Sequence, residues 1–210
     1  MGERNECRFY DNAFSLADTG YFDFGICNRS PDMPLTVRPA HISDVDAILH
    51  GANQAFMVYS YYKNEGYRAR FTEEDIRGLM TAPDSLIFVA EDDTTGRLCG
   101  CIHVAWETTP TGTLKGMLGK LCAFEGFEGR GVGTRLTQAA EAHVMQQSEC
   151  GDVTMELFVI SVMKPLFAYY EKQGYRLQGR TYDPPIFDAM VQPAFRDQIF
   201  LVYMDKVLAR

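Results

Sequence analysis

No stretch of this chain approaches the ~20 consecutive apolar residues that a membrane-spanning helix needs, so no membrane contact is expected. The opening residues, MGERNECRFYDN, are polar and charged with no apolar run behind them, so no secretory leader is expected. Glu6 stands where a myristoylation pattern requires Ser or Thr. Positive charge is in short supply, 20 Lys+Arg against 28 Asp+Glu, with a pI near 5.0. That disfavours nucleic acid as a partner and suits a cationic or neutral small molecule. Metal-clip spacing is missing too. The six cysteines are 7, 27, 99, 101, 122 and 150; Cys99 and Cys101 alternate along one apparent strand. His41, His50 and His143 fit no metal pattern and read as cap or helix-surface residues. The thiols are therefore expected to be reduced core groups in a cytoplasmic protein, with no metal.

The chain has the means for a sizeable core: 210 residues, 46% hydrophobic, with 14 Phe and 11 Tyr. Its length suits one domain. Residues 1–34 are irregular and turn-rich and read as an extension packed on, or trailing from, a domain over 35–210. No repeat, low-complexity tract or linker interrupts that domain. LTVRPA (35–40) alternates as a strand. A helix follows, with Ser43 as its expected cap and Val45, Ile48 and Leu49 at helical spacing. Thr72 before Glu73, Glu74 and Asp75 opens a second helix. SLIFVAED and RLCGCIHVAWE read as a hairpin around DDTTG. TLKGMLGKLCAF is a further strand, and a helix runs from about 131 to 147. VTMELFVI (153–160) reads as a buried strand. MKPLFAYYEKQ (163–173) is a helix closed by Gly174, and two strands finish the chain. Hairpins feeding two strand–helix units imply an α/β fold, a mixed sheet with helices on both faces.

The densest signal lies in LGKLCAFEGFEGRGVGTRL. Four glycines, Gly126, Gly129, Gly131 and Gly133, crowd one strand-to-helix junction. A lone glycine there would mark a tight turn. Several together let free backbone N–H groups converge on an anion at the positive end of a helix dipole, so the loop reads as a phosphate cradle with Arg130 adding charge. It is not a P-loop, because no Gly-Lys-Ser/Thr follows. It is not a dinucleotide fingerprint either. Counting from Gly129 and Gly131 gives Thr134, and counting from Gly131 and Gly133 gives Leu136, where a third glycine belongs.

This junction resembles the acetyl-CoA signature of the GNAT (GCN5-related) N-acetyltransferases. The match runs over Leu121-Cys122-Ala123 for the strand and Glu128-Gly129-Arg130-Gly131-Val132-Gly133 for the loop, with Thr134 opening the helix. LFAYYEKQGY (166–175) is similar to the family's second signature. The resemblance covers about 35–208. It departs at Glu128, normally Gln or Arg, and at Val162–Met163, where an Asn is usual. It implies a mostly antiparallel sheet of six to seven strands, splayed between the fourth and fifth. It further implies acetyl-CoA as cosubstrate and direct acetyl transfer to the primary amine of a small molecule or peptide, by a monomer or homodimer. A backbone N–H near Cys122 would polarise the thioester carbonyl.

Tyr170 falls on the family's tyrosine position and shares a helix face with Met163, Leu166 and Phe167, which makes it the expected proton donor to the departing thiolate. Tyr169 is expected to turn away. Glu107 ranks first as base, ahead of Glu156 and His103. Phe56, Tyr59 and Tyr62, with Tyr61, Tyr67 and Phe71, are expected to form one acceptor wall, and 182–195 the other. The departures leave a second reading open, an inactive acyl-CoA-binding sensor or partner subunit.

Overall fold

The computed structural model of the chain describes residues 33–56, 61–62, 71–148 and 151–209. The expected extension over 1–34 therefore lies almost wholly outside the described residues. The chain opens with β1 (Leu35–Pro39), a 3-10 turn (Ile42–Asp44), α1 (Val45–Phe56) and α2 (Glu73–Thr81). Then come β2 (Ser85–Asp92), β3 (Leu98–Thr108), β4 (Leu114–Ala123) and α3 (Val132–Gln147). β5 (Val153–Ile160), α4 (Lys164–Lys172), β6 (Arg176–Tyr182), α5 (Ile186–Met190), a 3-10 turn (Pro193–Gln198) and β7 (Leu201–Leu208) complete it. The strands form one seven-stranded sheet in the order β1-β2-β3-β4-β5-β7-β6. Every pairing is antiparallel except β4 with β5.

Local chemistry explains most boundaries. The Thr72 hydroxyl accepts from Asp75 N–H at 3.1 Å while the Asp75 carboxylate accepts from Thr72 N–H at 2.7 Å, a closed capping box that starts α2. Gly174, at φ 96°, takes the left-handed step that ends α4. Ser43 does not cap α1. It lies inside the 3-10 turn, and His41 occupies the cap position, its N–H bonded to the Asp44 carboxylate at 2.7 Å. Arg38 decides this: it pairs with Asp44 at 2.7 Å and Glu91 at 2.9 Å and draws the turn onto the sheet.

The core is continuous across the sheet. α1 and α2 cover one face through Ile48, Ala52 and Ile76, each 1% exposed or less. α3 covers the other through Leu136, Ala140 and Val144, and α4 sits beside it, Gln173 Nε2 meeting Thr134 Oγ at 3.2 Å. Tyr175 donates to Glu141 at 2.9 Å, and Lys206 pairs with the same carboxylate at 2.7 Å, which neutralises a buried acid on α3.

Candidate active site

β4 and β5 run together only from Leu114↔Val153 to Met117↔Glu156. Beyond that point Leu118–Ala123 keeps to β3 and Leu157–Ile160 keeps to β7. Two neighbouring parallel strands thus part towards their carboxyl ends and leave backbone groups facing a gap, the place where open sheets take ligands. The gap leads directly into the glycine loop. Gly126, Gly129 and Gly131 have φ of 84°, 70° and 79°. A Cβ at any of the three would meet no atom within 4 Å, so backbone conformation rather than crowding demands glycine there. Gly131 is the N-cap of α3, with no side-chain cap and no acid in the first turn. α2, by contrast, carries a full cap and three acids at its start. The amino end of a 16-residue helix is left with its N–H groups and dipole free for an anion.

The Glu128 carboxylate turns back to accept from Gly126 N–H at 2.9 Å. Arg130 stacks on Phe127 at 5.7 Å. On the strand, Cys122 faces Cys101 with the sulfurs 3.6 Å apart. That contact, then burial, pushes the Cys122 thiol well above its ordinary range, which leaves it neutral.

Tyr170 is buried, its ring edge-on to Tyr169 at 5.0 Å and Tyr175 at 5.8 Å. Its hydroxyl makes no hydrogen bond among the described residues, and burial raises its pKa, so it holds its proton at neutral pH. Met163, Leu166 and Phe167 on the same face are half-buried. Tyr169 does not turn away. Its hydroxyl is 3.0 Å from where a Cβ on Gly133 would stand, close to the Thr134 and Thr137 hydroxyls. Packing of α4 against the start of α3 overrides the expectation drawn from helical spacing.

The three expected bases separate. Glu107 is exposed and faces Lys115, at the joined end of the β4–β5 pair. It lies six residues, roughly 20 Å, along β3 from Cys101 and the gap. The structure does not bring it together with Tyr170. Glu156 sits where the two strands part, buried and held by Lys115 at 2.9 Å and Arg180 at 2.8 Å. His103 is opposite Gly119, just past the parting. The Ser85 hydroxyl has one proton and gives it to Leu79 O at 2.7 Å, so His103 Nε2, 2.9 Å away, carries a proton and donates to Ser85. His103 Nδ1 is left as a lone pair facing Gly119, 3.8 Å from where a Cβ there would stand. Burial, then the Lys120 charge, lowers the His103 pKa to about 3.

A family model described as acetyltransferase (GNAT) domain matches residues 83–177, the span that holds both the parting strands and the glycine loop. Over that span the chain is similar to the GNAT acetyltransferase domain. No curated protein matches it by sequence. Among solved structures, a GCN5-related N-acetyltransferase from Kribbella flavida is 22% identical, with a TM-score of 0.63, covering 85% of this chain and 100% of that one. NAA60 from Arabidopsis thaliana in complex with acetyl-CoA is 13% identical at TM-score 0.62, covering 83% and 99%. A GNAT acetyltransferase from Streptococcus pneumoniae is 15% identical at TM-score 0.62, covering 83% and 100%. The domain match supports the acyltransferase class, with acetyl-CoA as cosubstrate.

The GNAT sheet order also fixes what lies over the gap. α1 runs towards the open end, so the α1–α2 connection arrives there, as does the β6–β7 connection that follows Tyr182. The two meet in an antiparallel bridge, Tyr62↔Val191. Gln192 N–H donates to Tyr61 O at 2.8 Å, and Gln192 Nε2 to Tyr62 O at 3.1 Å. Tyr61 and Tyr62 are fully buried, and Phe56 packs edge-on to Phe71 at 5.9 Å. Phe56 and Tyr62 are thus packed into this roof; Tyr59 and Tyr67 lie outside the described residues. Sequence reasoning missed Lys120, Ser85 and Gln192. Only Lys120 gave a local sign, a cation inside an otherwise apolar strand.

Proposed function

We propose that this protein moves the acetyl group of acetyl-CoA directly to a primary amine of a small molecule or peptide. The observation that carries the reading is the continuity of the β4–β5 parting with an uncapped helix start bearing three positive-φ glycines. An extended arm ending in a diphosphate fits such a trough: hydrogen bonds along the strand edge, then an anion site at its end.

In this reading the backbone of Leu121, Cys122 and Ala123 lines the pantetheine arm. The amides of Gly129, Arg130, Gly131, Val132, Gly133 and Thr134 hold the pyrophosphate, with the Arg130 side chain adding charge. Glu128 contributes through the turn it braces at Gly126. Acetyl-CoA supplies an activated acetyl group. The N–H near Cys122 steadies the charge that grows on its carbonyl oxygen. The Tyr170 hydroxyl gives its proton to the departing sulfur. Glu156, already committed to two cations, acts by holding Lys115 and Arg180 rather than as a base. The roof joining Tyr61–Tyr62 to Val191–Gln192, with Phe56 and Tyr59, forms the acceptor side. An apolar amine suits its aromatic lining. We assign the activity to a cytoplasmic monomer or homodimer that binds neither membrane nor nucleic acid.

Met163 at the start of α4, with no side-chain cap, favours the second reading, acyl-CoA binding without turnover. Thiol release from acetyl-CoA with a panel of primary amines, read beside calorimetric CoA binding, separates the two. Amine-dependent release supports transfer; tight binding with no release from any amine supports a sensor.

A further inference from the structure

β4 carries an irregularity directly before its Leu121–Ala123 segment. Cys101 pairs with Cys122 and His103 with Gly119, so two residues of β3 span three of β4. The extra residue is a β-bulge, and Lys120 occupies it at φ 55°, a left-handed conformation that disfavours any side chain but glycine's. Bulges beside active sites re-aim a side chain. Here the lysine is aimed beneath α1 and α2. Lys120 is only 9% exposed, with its Nζ 5.4 Å from the centre of the Phe71 ring. It lines a small cavity with Ile48, Ala52, Phe71 and Ile76, and with Cys101 and His103 from the neighbouring strand. A residue strained in backbone and buried in charge persists where its side chain has work to do.

We propose that Lys120 takes the proton from the incoming amine. This rests on the acetyl-transfer reading above. The acceptor ammonium passes one proton to neutral Lys120 Nζ. The freed nitrogen forms the C–N bond and sheds its second proton to solvent, the C–S bond breaks, and the sulfur takes the Tyr170 proton. Lys120 then returns its proton to solvent, Tyr170 regains one from solvent, and the balance closes.

The surroundings suit the role. Burial lowers the Lys120 pKa to about 8, against raising contributions from Asp75 of α2 and Cys101 of β3. His103 is the other titratable group from β3 that faces it, and it is held neutral by burial. A lysine in this state is partly unprotonated near neutral pH, whereas an ordinary lysine is not.

Lys120→Met and Lys120→Arg test the proposal together, each first shown to bind CoA as wild type does. Both should lower kcat by about 10²-fold, because neither methionine nor a guanidinium accepts a proton. A purely structural or charge-holding role would be rescued by arginine, so near-normal turnover in Lys120→Arg overturns the proposal. A second readout needs no turnover. The melting temperature of wild type relative to Lys120→Met should climb as pH rises from 8 to 10.5, where the unfolded chain still holds the lysine proton and the folded one has released it. A flat difference means that Lys120 keeps its proton when folded, and overturns the proposal as well. If wild-type protein transfers acetyl to no amine but the melting difference still climbs, the acetyl-transfer reading is what has failed.

Discussion

The Gln192 N–H donates to the Tyr61 carbonyl at 2.8 Å across 131 positions of chain, and in doing so ties the α1–α2 connection to the β6–β7 connection over the open end of the sheet. Neither Tyr61–Tyr62 nor Val191–Gln192 lies in a sheet strand, and each supplies backbone partners to the other. The Gln192 side chain adds a second link to Tyr62 O at 3.1 Å. Gln192→Ala removes only that second link. A net hydrogen bond contributes ~0.5–1.5 kcal/mol, so KM for the amine should rise up to roughly tenfold while CoA affinity stays put. Equal losses in amine KM and CoA affinity would show that the roof does not belong to the acceptor side.

Gly131→Asp should abolish CoA binding and leave the fold standing. The new side chain meets no protein atom within 4 Å, so packing does not oppose it. Its φ of 79° costs on the order of 1–3 kcal/mol, and its carboxylate stands at the free amino end of α3. Wild-type affinity by calorimetry would remove the cradle assignment.

Tyr170→Phe keeps a ring packed between Tyr169 and Tyr175 and loses a hydroxyl that no described protein group shares. Stability should hardly change. If the hydroxyl protonates the sulfur, kcat falls ~10²-fold with CoA affinity intact. Tyr169→Phe is no silent control here, because its hydroxyl lies against Gly133. Glu107→Gln, far along β3, serves instead. Unaltered turnover in Tyr170→Phe makes Tyr170 a core residue.

His103 predicts acid sensitivity. Its pKa falls from 6.5 to about 3 on folding, chiefly through burial and then through Lys120. Below pH 6.5 the unfolded chain takes up a proton that the folded chain refuses. Stability is therefore lost as pH falls from 6.5 towards 3, by about 1.4 kcal/mol per pH unit. His103→Gln keeps a donor for Ser85 and cannot titrate, so its acid limb should be flatter. Urea unfolding free energies at three pH values between 6.5 and 4 measure both slopes. Parallel slopes would mean that His103 titrates normally when folded.

The sequence alone carried whatever short-range chemistry decides. Thr72 with Asp75 three residues on closes a capping box whatever surrounds it. Gly174 ends its helix, and glycines at 129 and 131 permit the positive φ that the loop adopts. Alternation and period placed all seven strands because side-chain burial follows backbone geometry. Tertiary structure decided the rest. Ser43 was the better isolated cap, but Arg38 held Asp44 against β2 and moved the cap to His41. Helical spacing set Tyr169 and Tyr170 about 100° apart, yet not which of them meets α3, and both rings are engaged. Glu107 and His103 share one strand and one face; only the pairing register of β3 with β4 puts one at the joined end and the other at the parting. Lys120 faces the cavity because β4 gains one residue on β3. Such a count depends on hydrogen bonds between strands, and residues adjacent in sequence do not encode it.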